Sequence, residues 1–253
     1  MIAVICRTTA HHLSRRLGYP REPARRAAEL GLRRTFRTYR EYLLGAVERR
    51  IGHDRALEVL AASAAELQGL APRVPAVRPG DWLSDNLYGA AVVLAVGRAL
   101  RADGFDDQVI VAITREAAER RLDAYPPLVL RIMGRMRSRG PYQRLLARRA
   151  ARSQHPAYPG EWVYDRVTGD GRSFGWGIDY RRCPILDFYR DEGVEELMAA
   201  VCPLDFAISE RMGDGLVRTM TLASGGDRCD FRYATADGGA GVDRAGQTRV
   251  ETP

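Results

Sequence analysis

The residues best suited to chemistry in this 253-residue sequence are cysteines and acids near its C-terminal end. Cys202 and Asp205 lie three positions apart in the stretch CPLDF, and Cys229 precedes Asp230 in the stretch CDFRY. A thiol whose pKa is lowered acts as a nucleophile, and a carboxylate can move protons. Such residues can catalyse a reaction, hold a metal ion, form a disulfide or fill a core.

The secondary structure around these residues decides which of them can act together. In a strand over CDFRY, the side chains of Cys229, Phe231 and Tyr233 point to one face of the sheet, and those of Asp230 and Arg232 point to the other. On a helix, Cys202 and Asp205 share one face. If that helix packs on the sheet, Cys202 can approach Cys229, and Cys183 can join them from the end of another strand.

Four interpretations of the cysteines compete. A zinc site is disfavoured because the spacings of 19 and 27 residues between Cys183, Cys202 and Cys229 contain no CxxC pair, and no HxxxH pair occurs. A disulfide is disfavoured because the chain is expected to be cytoplasmic. The remaining two interpretations stay open: buried structural thiols, which suits the isolated Cys6 best, or a catalytic nucleophile.

The pattern along the chain predicts an α+β fold. Apolar residues recur at helical intervals from Glu22 to Arg50, and further helical patterns, with Asp54 and Asp106 as predicted caps, continue to about Arg152. Strands are predicted for WVYDRV, SFGWGIDYRRCPI, GLVRTMTLA and CDFRYA, and SGGDR is the turn that makes the last two a hairpin.

Between these strands, residues 187–212 predict helix, with a break near Gly193. Pro203 predicts either a kink or two shorter helices that meet at Cys202. We therefore expect a helical N-terminal half packed with a small antiparallel sheet and one or two helices in the C-terminal third. The expected regions are a helical region over 1–155, an α+β region over 156–234 that forms one domain with it, and a disordered tail over 235–253.

The charge of the chain is concentrated in its helical half. Residues 1–155 hold 28 Arg against 15 Asp and Glu, a net of +13, and the remaining residues hold 11 Arg against 17 acids, a net of −6. Such a basic half could bind nucleic acid or an anionic membrane surface. However, all 39 basic residues are Arg, many alternate with acids at helical spacing, and no nucleic-acid-binding motif accompanies them. We predict a solvated surface and no nucleic-acid partner.

Several classes of partner and cofactor lack a matching pattern. No apolar run is long enough to span a bilayer or to serve as a secretion signal, so we expect a cytoplasmic protein without a membrane partner. The sequence contains no GxGxxG, P-loop or HExxH motif, so no cofactor and no metal are expected. The oligomeric state stays open.

Three segments resemble a known family. RRCP (181–184), CPLDF (202–206) and RTMTLASGGDRCDFRY (218–233) are similar, in this order, to the L-2-amino-thiazoline-4-carboxylic acid hydrolase family. The resemblance implies a cofactor-independent hydrolase that acts on carbon–nitrogen bonds of cyclic amidines. Its small-molecule substrate would be 2-aminothiazoline-4-carboxylate, opened to the N-carbamoyl amino acid.

This chemistry needs an attacking group, a proton donor or acceptor and a cation for the substrate carboxylate. The attacking group is either a base-activated water or a cysteine thiolate. The candidate residues are Cys202 or Cys229 as nucleophile, Asp205 or Asp230 as acid–base, Arg218 or Arg232 as carboxylate clamp, and Thr221 and Cys183 as further substrate contacts. Two alternatives remain: a tailoring enzyme of the same family that cyclises or isomerises a specialised metabolite, and a non-catalytic module that binds a small ligand.

Overall fold

The computed structural model describes residues 21–234, with side chains from Arg25 onward. This part of the chain forms two compact units, and each unit is assembled from separated segments. The first unit contains residues up to Arg121, then 157–161 and 184–204. The second contains residues 122–156, 162–183 and those from Asp205 onward. Cys6 and the tail predicted to be disordered lie outside the described residues.

The first unit is helical. Its long helices are α1 (Arg21–Ile51), α2 (His53–Leu70), α3 (Ser84–Ala102) and α4 (Asp107–Asp123), and the later segment adds α7 (Pro184–Asp191), a 3₁₀ turn (Glu195–Leu197) and α8 (Met198–Val201). Helix α3 is buried along most of its length and forms the centre of the core. The Tyr189 hydroxyl of α7 donates a 2.8 Å hydrogen bond to the carbonyl of Ala90 in α3.

Two predicted helix caps have different outcomes. The Asp106 carboxylate accepts the Val109 N–H at 2.9 Å and caps α4, as predicted. Asp54 does not cap α2, because that helix already begins at His53. Its N-cap is Gly52, whose φ of 81° turns the chain sharply between α1 and α2.

The second unit combines helices with a sheet. It contains α5 (Pro127–Arg137), α6 (Gly140–Ser153), β1 (Val163–Thr168), β2 (Trp176–Arg182), α9 (Leu204–Met212), a 3₁₀ turn (Leu222–Ser224) and β3 (Cys229–Tyr233). The three strands are antiparallel in the order β1-β2-β3. Helix α6 packs on β1, where the Ser153 hydroxyl bonds both the N–H and the carbonyl of Tyr164 at 3.1 Å.

One predicted strand is irregular in the structure. GLVRTMTLA was predicted as a regular strand, but its backbone contacts with β3 are a single bridge, Val217 to Arg232, and one 3.3 Å bond from the Asp230 N–H to the Met220 carbonyl. The reason is that the Asp230 side chain accepts the N–H groups of Thr219 and Met220, so these two donors are not available for a regular ladder.

Of the two alternatives predicted at Pro203, the structure has the two shorter helices: α8 ends at Val201 with Cys202 as its C-cap, and α9 begins at Leu204. Cys202 and Asp205 therefore do not share one helical face, contrary to the expectation.

The α+β fold with a helical N-terminal half and a small antiparallel sheet is confirmed. Within residues 21–234, no helix has both the length and the apolar character needed to cross a membrane.

Candidate functional site

The register of β3 against β2 divides the candidate residues between two faces of the sheet. Cys229 lies opposite Tyr180, and Phe231 lies opposite Ile178, on one face. Asp230 lies opposite Asp179 on the other face. The predicted separation of Cys229 from Asp230 is therefore confirmed.

An ion pair lies on the face that carries Phe231. Arg218 donates a 2.8 Å hydrogen bond to Oδ2 of Asp205, near the start of α9. The guanidinium stacks between the rings of Phe206 (4.9 Å to the ring centroid) and Phe231 (5.0 Å). The Arg218 side chain is only 6% exposed, whereas that of Asp205 is 41% exposed. The pair thus joins a buried, fixed cation to a carboxylate that solvent reaches.

Burial and nearby charges act in opposite directions on the pKa of Asp205. The surrounding protein crowds its carboxylate, and this burial raises the pKa of Asp205, although the charges of Arg218 and Arg137 oppose the increase. Its Oδ2 is bound to Arg218, and among the described residues no hydrogen bond reaches Oδ1. A carboxylate with a raised pKa and one accessible oxygen can take up and return a proton.

Cys229 differs from an activated thiolate. Its side chain is buried, and its sulfur accepts the Leu222 N–H at 3.2 Å. Burial raises the pKa of Cys229, while the Leu222 N–H and the charge of Arg218 oppose the increase. The resting form of Cys229 at neutral pH is therefore the protonated thiol.

Sequence reasoning placed Tyr233 on this face but missed Tyr180. The Tyr180 ring contacts that of Phe231 at 5.2 Å and that of Tyr164 at 5.4 Å. Burial raises the pKa of Tyr180 well above the ordinary tyrosine value and raises that of Tyr233 too, so both phenols stay neutral. The alternation of side chains along β2 could have indicated Tyr180, but it places Tyr180 beside Cys229 only when the register of β2 against β3 is known.

On the opposite face of the sheet, Asp230 and Arg232 bond to other groups of the protein. The buried Asp230 carboxylate accepts the Thr219 N–H (2.9 Å), the Thr219 hydroxyl (2.6 Å) and the Met220 N–H (2.7 Å). Arg232 forms a 2.7 Å ion pair with Asp179. Both candidates are thus engaged with protein groups, away from the face of Arg218.

The other candidates are distributed over the fold. Cys183 directly follows β2 in the second unit, while Cys202 lies at the C-terminal end of α8 in the first, and both are half-buried. The predicted approach of Cys202 to Cys229 stays a prediction. Thr221 caps the 3₁₀ turn, since its hydroxyl accepts the Ser224 N–H at 3.0 Å.

No metal-binding group was found in the described part of the chain. Within residues 21–234, no cluster of three or more His, Cys, Asp or Glu side chains is placed to hold a metal ion.

Comparison with known proteins identifies the family. The model of the L-2-amino-thiazoline-4-carboxylic acid hydrolase family matches residues 86–233, which is more than half of the chain and includes the Asp205–Arg218 pair and all of β3. No curated protein and no solved structure matches the sequence. The family supports a hydrolase-like role for the protein. On the strength of the family match, this chain belongs to the L-2-amino-thiazoline-4-carboxylic acid hydrolase family.

Proposed function

We propose that the protein is a hydrolase that opens a small cyclic amidine-like substrate of the 2-aminothiazoline-4-carboxylate type, with Asp205 as its acid–base group. The observation that carries the proposal is the Asp205–Arg218 pair, in which a solvent-accessible carboxylate with a raised pKa is held by a buried guanidinium. The family match supports the reaction class.

The proposed reaction adds one water molecule to the substrate. Asp205 accepts one proton as the water oxygen bonds to ring carbon C2, and the electron pair of the carbon–nitrogen double bond moves to nitrogen, which gives a tetrahedral intermediate. The C2–S bond then breaks as the carbon–oxygen double bond forms. The remaining hydroxyl proton moves to the nitrogen, and the proton held by Asp205 passes to the departing sulfur. The product carries a free thiol and a carbamoyl group on the former ring nitrogen. The ring bond that breaks is thus carbon–sulfur, while the amidine carbon keeps both nitrogens.

The contacts favour Asp205 over Asp230 for this role. Asp230 is buried and accepts three hydrogen bonds that hold the backbone at Thr219 and Met220. A proton on Oδ1 of Asp230 would disrupt the two bonds that this oxygen accepts from backbone N–H groups, which can only donate. Asp205 has an oxygen that is not committed in this way.

Arg218 is the better of the two candidate cations. It lies on the same face as Asp205 and Cys229, where its charge attracts the substrate carboxylate. Arg232 neutralises Asp179 on the other face. The neutral hydroxyl of Tyr180 supplies a further hydrogen-bonding group beside Phe231, suited to a ring nitrogen or to the exocyclic amine.

The raised pKa of Cys229 favours attack by water over attack by a resting thiolate. The covalent route requires Cys229 to lose its proton as the bond to C2 forms, and it predicts a trapped adduct on the enzyme. Mass spectrometry of the protein quenched during turnover distinguishes the routes: no adduct on Cys229 supports the water route.

The test compares two isosteric substitutions of ion-paired aspartates in the same unit. Asp205→Asn removes the proposed acid–base group, and Asp165→Asn changes a similarly exposed carboxylate that pairs with Arg181 on the strands. The assay measures thiol release from 2-aminothiazoline-4-carboxylate and the mass of the product. We expect kcat to fall about 100-fold or more for Asp205→Asn and to stay near wild type for Asp165→Asn.

Three results would contradict the proposal. Full turnover by Asp205→Asn removes Asp205 from the mechanism. Saturable binding of the substrate by wild type without any product indicates a ligand-binding module. Conversion to an isomer without uptake of water indicates a tailoring enzyme.

A further inference from the structure

Helix α5 carries an exposed apolar stripe, defined as Leu128, Val129, Ile132, Met133 and Met136. These side chains are between 44% and 66% exposed. The helix is held from one side only: Leu130 and Gly134 are buried, and the α-carbon of Gly134 lies so close to the Met212 carbonyl that a side chain would not fit. Most of the apolar surface of α5 therefore faces solvent, which is unusual for a helix that packs within its own unit.

The same segment is strongly basic. Residues 124–160 contain eight Arg and no Asp or Glu. Six of these arginines are exposed, and none of the six forms an ion pair with a described residue: Arg131, Arg135, Arg139, Arg144, Arg148 and Arg152. We call these six the α5–α6 arginines. By contrast, arginines of the first unit such as Arg55, Arg98 and Arg101 are each paired with two carboxylates.

The charged and apolar groups border each other on α5. Arg131 and Arg135 follow Leu128 and Ile132 by three residues, so each lies one helical turn from a member of the stripe. A short helix with an apolar stripe beside unpaired arginines is typical of segments that lie in the interface of an anionic bilayer. At eleven residues, α5 is about 16 Å long and would lie along such a surface.

We propose that the α5 stripe and the α5–α6 arginines attach the protein to the surface of an anionic lipid bilayer. The stripe enters the boundary between headgroups and acyl chains, and the arginines bind lipid phosphates, which guanidinium groups can contact with two hydrogen bonds. The proposal departs from the expectations of no membrane partner and of a solvated basic surface. Those expectations rested on the lack of a spanning segment and on arginines that alternate with acids, whereas residues 124–160 contain no acid.

The charge argues against two other occupants of this surface. A second copy of the chain would bring the same unpaired arginines together, and their repulsion would oppose association. Nucleic acid would neutralise the arginines but would leave the apolar stripe exposed to water. An acidic segment of a partner protein would match both features and is distinguished by experiment.

The experiment measures co-sedimentation of the full chain with vesicles of phosphatidylcholine, alone or with about a third phosphatidylglycerol. We expect binding to the anionic vesicles only, and we expect added salt to weaken it because salt screens exposed charges. If the chain does not bind anionic vesicles at low salt, the proposal is wrong, and an acidic protein partner becomes the better interpretation of this surface.

Variants with matched controls assign the binding to this surface. Leu128→Ser/Met136→Ser and Arg131→Gln/Arg135→Gln should each weaken binding about tenfold. The controls Leu30→Ser and Arg33→Gln/Arg37→Gln alter equally exposed residues of α1 and should bind like wild type. Thermal unfolding confirms that each variant is folded.

Two further results would overturn the proposal. One is vesicle binding that survives both α5 variants. The other is a dimer, formed without vesicles, that Leu128→Ser/Met136→Ser dissociates; this would assign the stripe to a second copy of the chain.

Discussion

Replacement of Asp230 by alanine tests whether this carboxylate holds the backbone before β3 or takes part in the reaction. The substitution leaves two backbone N–H groups, of Thr219 and Met220, and one hydroxyl without their acceptor. A hydrogen bond to a charged group contributes about 1.5–3 kcal/mol, and an abandoned buried donor costs about 1–3 kcal/mol. Water can reach part of this segment, so the three losses do not add fully, and we expect destabilisation of about 3–5 kcal/mol.

The assay is urea unfolding followed by circular dichroism, with the slope against urea checked for constancy. Asp230→Asn keeps one acceptor for the two N–H groups, so about 1–2 kcal/mol should be lost, and Thr219→Val should cost about 1 kcal/mol. The folded Asp230→Asn protein should turn over substrate at near the wild-type rate. A loss of less than about 1 kcal/mol for Asp230→Ala, or loss of turnover in a fully stable Asp230→Asn, would refute the structural assignment.

Three further outcomes are expected. Gly134→Ala should destabilise the fold by about 2 kcal/mol or more, because its new methyl group meets the Met212 carbonyl, whereas Gly89→Ala in open space within α3 should stabilise it by about 0.5–1 kcal/mol; thermal melts compare the two. Burial raises the pKa of Asp205, so the folded chain keeps a proton that the unfolded chain has lost. Wild type should therefore lose stability relative to Asp205→Asn as pH rises from the ordinary aspartate range through the raised pKa, in urea titrations at stepped pH. Iodoacetamide at neutral pH should label Cys229 more slowly than Cys183 or Cys202, and peptide mapping that shows rapid labelling of Cys229 would contradict its raised pKa.

Local patterns predicted most elements because the signals lie within short stretches. Apolar residues that recur every 3.6 positions predicted α1, and Asp106 as an N-cap residue predicted the start of α4. Alternation in CDFRY separated Cys229 from Asp230 correctly, since side chains in a strand point to alternate faces.

The other predictions failed because they depend on contacts between residues that are distant in sequence. GLVRTMTLA has the alternation of a strand, but a carboxylate from β3 takes its N–H groups, and no local pattern reveals such a competitor. Tyr180 could not be assigned to the site because the long connection from β2 to β3 leaves their register undefined by sequence. The α5–α6 arginines were missed because charge was compared over half the chain, where paired arginines dominate.

The alternation of segments between the two compact units has a consequence for how the chain folds as it is synthesised. Residues 122–156 belong to the second unit, yet the first unit still lacks 184–204 when they emerge from the ribosome. Neither unit can complete its packing until the last third of the chain is made, so contacts distant in sequence must form late and slowly. A cut between residues 155 and 156 would leave both units incomplete, and two separately produced halves should fold only when they are combined.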